Sequence, residues 1–115
     1  MKFSLLIAIV SEEMEEKART VAKEAGAGGV TILHGRGIGG TEKKVFWGLT
    51  YEGAQSVMIF VLEKSLSLKV LKALKEQLEM DKGDSGVAFT LPLEHLAGID
   101  LKQLSKFEEN IKEEI

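Results

Sequence analysis

The chain begins with an apolar run, Phe3-Ser4-Leu5-Leu6-Ile7-Ala8-Ile9-Val10, that stops abruptly at Ser11-Glu12-Glu13. The run is far too short to cross a bilayer and no small-residue cleavage site follows it. It therefore reads as a strand covered on both faces rather than as a signal peptide. Met14, Ala18, Val21, Ala22 and Ala25 then lay an apolar stripe along one helix face. Ser11 is its expected N-cap, Glu12 and Glu13 suit the positive end of its dipole, and Gly26 marks a left-handed C-cap. Gly29 to His34 reads as a second strand and Ser56 to Leu62 as a third. Leu68, Leu71, Leu74 and Leu78 mark a second helix, capped by Ser65 or Ser67. Gly86 to Leu91 is a fourth strand, closed by Pro92, which has no N–H for a ladder.

That order, β-α-β-β-α-β, predicts an α+β fold: a ferredoxin-like sandwich with two helices on one face of a four-stranded antiparallel sheet. Leu101, Leu104, Phe107 and Ile111 add an amphipathic C-terminal helix over about 101–114. A chain of 115 residues without linker or low-complexity segment is expected to be a single domain, 1–115, with a core over 1–99. A domain this small buries a modest share of its surface, so self-association is a natural way to bury more.

The net charge of −3, with both signs intermixed, argues against nucleic-acid binding, which needs basic groups facing phosphates. The strands also carry aliphatic residues where an RNA-binding sheet needs stacking aromatics. Cysteine is absent, which excludes disulfides and thiolate metal sites and fits a cytoplasmic location. His34 and His95 have no ligand partner at metal spacing, and Asp84 and Glu94 form no recognisable carboxylate pair. No metal site, no catalytic group and no membrane insertion are expected.

The remaining feature is the glycine-rich, polar stretch between the second and third strands, which begins Gly35-Arg36-Gly37-Ile38-Gly39-Gly40 and runs about twenty residues to Ala54. Structureless connections of that length inside a compact domain are usually functional or mobile. Lys43 and Lys44 are candidate docking charges, and Phe46 and Trp47 are candidate aromatic anchors for a partner.

Three features together resemble the PII signalling family and its PII-like relatives. Gly35-Arg36-Gly37 opens a long loop where that family has its T-loop. Lys82-Gly83-Asp84-Ser85-Gly86 followed by Val87-Ala88-Phe89-Thr90-Leu91-Pro92 resembles its B-loop and fourth strand. The order of helices and strands extends the match from about Met1 to Ile99. The resemblance implies a homotrimer that is not an enzyme. Its clefts between subunits would take an adenine nucleotide (ATP, ADP or AMP), and the loop 37–54 would dock on a protein such as a transporter or metabolic enzyme. Nitrogen regulation or related metabolism is the implied setting. On this mapping Gly35, Arg36 and Gly37, with His34 beside them, form one wall of the cleft, and Gly83, Asp84, Ser85 and Gly86 form another. Ile7 and Leu62 line the base pocket. Glycines there let phosphate approach backbone N–H groups.

The sequence departs from the family's wording where Val87 replaces a lysine. It departs again where Ala97-Gly98-Ile99-Asp100 replaces a pair of arginines, which removes charge-assisted contacts from a triphosphate site. Two other readings stay open: a trimeric scaffold or metal-tolerance-type protein that binds no nucleotide, and a small ferredoxin-like enzyme. The enzyme reading requires a nucleophile or base beside an anion site.

Overall fold

The computed structural model describes residues 2–37, 53–83 and 85–98. The elements are β1 (Phe3–Ser11), a 3-10 turn (Glu12–Met14), α1 (Glu15–Glu24), β2 (Thr31–Arg36) and β3 (Ala54–Glu63). They are followed by α2 (Lys64–Gln77), a second 3-10 turn (Met80–Lys82) and β4 (Val87–Pro92). The strands pair antiparallel in the order β2-β3-β1-β4, and α1 and α2 pack on each other over one face. This is the ferredoxin-like α+β plan.

Alternation along the strands decides what is inside. Leu6, Ala8 and Val10 of β1 and Met58, Phe60 and Leu62 of β3 are buried beneath Ala18, Val21 and Ala22 of α1 and Leu66, Val70 and Leu74 of α2. Each large aliphatic or aromatic side chain so buried contributes about 1.5–3 kcal/mol before ordering costs are counted. The other face is open. Leu5, Ile7 and Ile9 are only half-buried there, so β1 is not covered on both faces within one protomer, as the continuous apolar run had suggested. Leu33 of β2, Val61 of β3 and Leu91 of β4 stand exposed on the same side.

The first helix ends as its sequence predicts. Gly26 takes φ +119°, its N–H donates to Lys23, and the Ala27 N–H reaches back to Ala22, a Schellman arrangement. Its start differs. Ser11 has extended backbone before the 3-10 turn but makes no side-chain capping bond, and α1 opens at Glu15. The second helix is capped by Glu63, whose carboxylate accepts from the N–H groups of Ser65 and Leu66 at 2.7 and 3.2 Å; neither Ser65 nor Ser67 is the N-cap. Its inner stripe is Leu66, Val70, Leu74 and Leu78 at a spacing of four, which leaves Leu68 half exposed on the outer side. Strand β2 lies two residues later than predicted, and β3 starts earlier, at Ala54. Pro92 belongs to β4, tolerated as the last residue of an edge strand. The expected helix over 101–114 lies outside the described residues.

Candidate functional site

Gly35 and Arg36 continue β2 rather than opening a turn, and Gly37 follows the last residue of that strand. The Gly37 N–H donates to the Gly53 carbonyl at 3.3 Å, so the segment 38–52 leaves and returns at one point of the ladder. Gly35 has room for a side chain, since a Cβ there would meet nothing within 4 Å. The fold itself does not require glycine at that position. Opposite Gly35, Gln55 is buried and its Nε2 has no hydrogen-bond partner among the described residues, a state that costs about 1–3 kcal/mol.

The second glycine loop is built differently. Gly83 takes φ +84° in open space. Gly86 takes φ +116° and lies against β1, where a Cβ would collide with the Ile9 carbonyl oxygen and press on Val10. Gly86 therefore lets the chain enter β4 alongside β1, whatever else it does. Ser85 adjoins it, and Asp84 lies outside the described residues, as do Lys43, Lys44, Phe46 and Trp47.

Register places these groups. Gly35 pairs with Gln55, which pairs with Ser11, and Val87 pairs with Ile9, so both glycine loops stand at the same end of the sheet. They stand on opposite edges, however, because β2 and β4 are the outermost strands. Three strand spacings separate them, about 14 Å. Ile7 sits on the open face, four residues along β1 from the Ser11 rung. Leu62 is 2% exposed, on the helix face, and its rung with Ser4 is roughly 24 Å from the Gly35 rung. Leu62 thus belongs to the core of its own chain and does not share a pocket with Ile7 there.

The structure also assembles a cluster that no sequence motif announced. Glu15 Oε1 accepts from the Ser56 hydroxyl at 2.6 Å and from His34 Nε2 at 2.8 Å. These two hydrogen bonds, the Ser56 one first, hold the Glu15 carboxyl below the usual carboxylate range. A serine, a histidine and a carboxylate together invite a nucleophilic reading, but the connectivity is wrong for it. Here the carboxylate is the hub. Ser56 is fully buried and spends its one hydroxyl proton on Glu15, so its oxygen is neither activated by the imidazole nor presented to a substrate. His34 was legible as a candidate contact. Its partners were not, because only the pairing of His34 with Ser56 across β2 and β3 brings Glu15 within reach of both.

Among the described residues, no group of three or more histidine or carboxylate side chains is placed to hold a metal ion. No described helix is long and apolar enough to cross a membrane.

A ferredoxin-like domain with two glycine loops at one end of the sheet, on its two outer strands, is the class of protein these features define. A sequence model of the family described as nitrogen regulatory protein P-II matches residues 3–102, and the chain belongs to that family of regulatory proteins. Among solved structures it is similar to CPII, a PII-like protein of Thiomonas intermedia K12. One structure of that protein, bound to ADP, AMP and bicarbonate, is 19% identical with a TM-score of 0.64, over 86% of this chain and 98% of that one. Another, bound to ADP and bicarbonate, is 22% identical with a TM-score of 0.62, over 81% and 87%. The PII protein of Arabidopsis thaliana bound to citrate is 24% identical with a TM-score of 0.60, over 80% and 78%. At these identities the likeness concerns the fold. A search of curated proteins gave no match.

Proposed function

We propose that this protein is a PII-like regulator: a cytoplasmic homotrimer that takes an adenine nucleotide in clefts between its subunits. It signals through the loop 37–54, the family's T-loop, to a transporter or enzyme of nitrogen or related metabolism. The observation that carries this reading is the placement of the two glycine loops, at one end of the sheet but on opposite edges. Within one chain the two loops stand about 14 Å apart with β3 and β1 between them. When the β2 edge of one copy approaches the β4 edge of the next, Gly35, Arg36 and Gly37 face Gly83, Asp84, Ser85 and Gly86, and Ile7 lies on the apolar face that such packing would cover.

Two further features support it. Gly35 is a glycine that the fold does not need, at a strand end, which suits close approach by a ligand. The ADP and AMP bound by the Thiomonas protein supply the ligand class. Because Val87 and the stretch Ala97-Gly98-Ile99-Asp100 lack the family's cations, a mono- or diphosphate suits this cleft better than a triphosphate.

Calorimetric titration with AMP, ADP and ATP, each with and without Mg²⁺, tests the reading. Saturable micromolar binding, strongest for AMP or ADP and weakened about tenfold or more by Arg36→Ala, supports it. No heat from any nucleotide with an intact trimer leaves the scaffold reading in its place. Substitutions at Gly86 are unsuitable for this test, because that position also packs against β1.

A further inference from the structure

The cluster of Glu15, His34 and Ser56 lies on the helix face, on the other side of the sheet from the open face, with His34 next to Gly35 on the β2 edge. Its position in the fold gives it a different task. β2 is an edge strand in which Ile32 alone is half-buried and every other residue is exposed. Within a single copy, burial therefore does little to hold its far end, and weakly buried edges are where local opening begins. His34 stands three residues before Gly37, the point from which the segment 38–52 departs. Glu15 opens α1, whose inner face is fixed in the core by Ala18, Val21 and Ala22. Ser56, fully buried on β3, holds the Glu15 carboxylate in place independently of His34.

The chemistry of the contact makes it responsive to protons. With Glu15 ionised, the His34 nitrogen facing it must carry the hydrogen, so Nε2 donates and Nδ1 keeps the lone pair. Adding a proton at Nδ1 then turns the hydrogen bond into an ion pair without breaking it. Imidazole is the side chain whose charge ordinarily changes between pH 5 and 8. The charged groups around it are Glu15 and Arg19 on α1 and Arg36 two residues along β2, while β3 contributes the uncharged Ser56. Arg19 favours the ionised carboxylate and so reinforces the acceptor.

We propose that Glu15, His34 and Ser56 form a proton-responsive clasp that fixes the end of β2, and with it the root of the segment 38–52, to α1. The clasp tightens when His34 is protonated. It does not depend on nucleotide binding and adds a second input to the same loop root.

Hydrogen exchange read by mass spectrometry on the full chain tests this, using peptides over 31–37 at pH 6 and pH 8 with intrinsic rates divided out. In the wild type, protection over 31–37 is expected to rise about threefold from pH 8 to pH 6, the scale of a partly exposed ion pair. His34→Ala should exchange about fivefold faster there at both pH values, while α2 peptides keep their wild-type rates. His34→Gln, which keeps a neutral donor, should lose the pH response. Exchange over 31–37 that is unchanged in His34→Ala overturns the clasp, as does equal acceleration throughout the chain. A pH response that survives in His34→Gln overturns its proton sensitivity. The side chain of His34 is 58% exposed, so these variants leave the core intact.

Discussion

Replacing Gly86 by alanine should damage this protein far more than replacing Gly83, although both glycines sit in one short loop. Each has a backbone conformation that L-residues rarely adopt, at φ +116° and +84°. Left-handed backbone costs a non-glycine residue about 1–2 kcal/mol, and at Gly83 nothing else is lost because a Cβ there meets open space. At Gly86 the added carbon runs into the Ile9 carbonyl oxygen and lies 3.2 Å from both Val10 Cα and Cγ1. The carbonyl is backbone of a central strand and cannot swing aside as a side chain would. Forced overpacking of this kind costs about 1–3 kcal/mol on top of the strain. Gly86→Ala is therefore expected to lose about 2–5 kcal/mol, a large part of the roughly 5–15 kcal/mol that holds a typical domain. Urea melts followed by circular dichroism, at one fixed protein concentration, would show it. Gly83→Ala should lower the thermal midpoint by about 4–16 °C, and Gly86→Ala by clearly more. A Gly86→Ala protein within about 1 kcal/mol of Gly83→Ala would refute the reasoning, because the close approach to β1 would then impose no steric demand.

Leu74→Ala should cost about 2–5 kcal/mol and Leu68→Ala no more than about 0.5, since only the first lies in the core; similar urea midpoints would refute the assigned helix face. Ile59→Lys places a charge in the middle of the open apolar face, and light scattering should show the proposed trimer dissociating while the circular dichroism spectrum persists. An unchanged mass would remove that face from the interface. Glu15 has a folded pKa below its ordinary 4.5, so its contribution is fully present above that value and is lost as pH falls through the lowered one. Stability measured from pH 6 to pH 3 should therefore fall more steeply in the wild type than in Glu15→Gln, and parallel curves would refute it.

Most of the fold could be read from the sequence because apolar spacing and burial agree along β1, α1 and β3. Where the reading slipped, a local signal competed with tertiary context. Leu68 shares the spacing of Leu71 and Leu78, yet Leu66 and Val70 complete a tighter stripe with Leu74 that the leucine pattern hid. Gly35-Arg36-Gly37 looked like a turn because glycine is the commonest turn residue, whereas pairing with Gln55 and Ala54 keeps the first two in β2. Serine is the better cap by preference, but Glu63 is the residue whose extended backbone aims a carboxylate at two free N–H groups. At the site, the glycine loops were legible as composition. Their separation across the sheet was not, because strand order is a long-range property. The hub role of Glu15 was equally out of reach, since it depends on side chains 19 and 41 residues away.

The departure at Val87 has a physical counterpart in that strand order. Leu33 pairs with Val57, Val57 with Ile9, and Ile9 with Val87, so one apolar row crosses all four strands on the open face. A lysine at 87 would place a charge at the end of this row, and packing another copy against it would then require a counter-charge or a bound anion. With valine the row is complete, and it can be buried whether or not the cleft is occupied. A cation in that place makes the edge's charge balance depend on ligand phosphate; an apolar residue decouples the two. The cationic group that remains among the cleft candidates, Arg36, lies on the opposite edge of the sheet beside the root of the segment 38–52. A phosphate drawn to it would be held next to that root rather than at the β4 edge of the same chain. In the proposed trimer, then, contact between copies would rest on the apolar rows, and ligand charge would act at the Gly37–Gly53 junction.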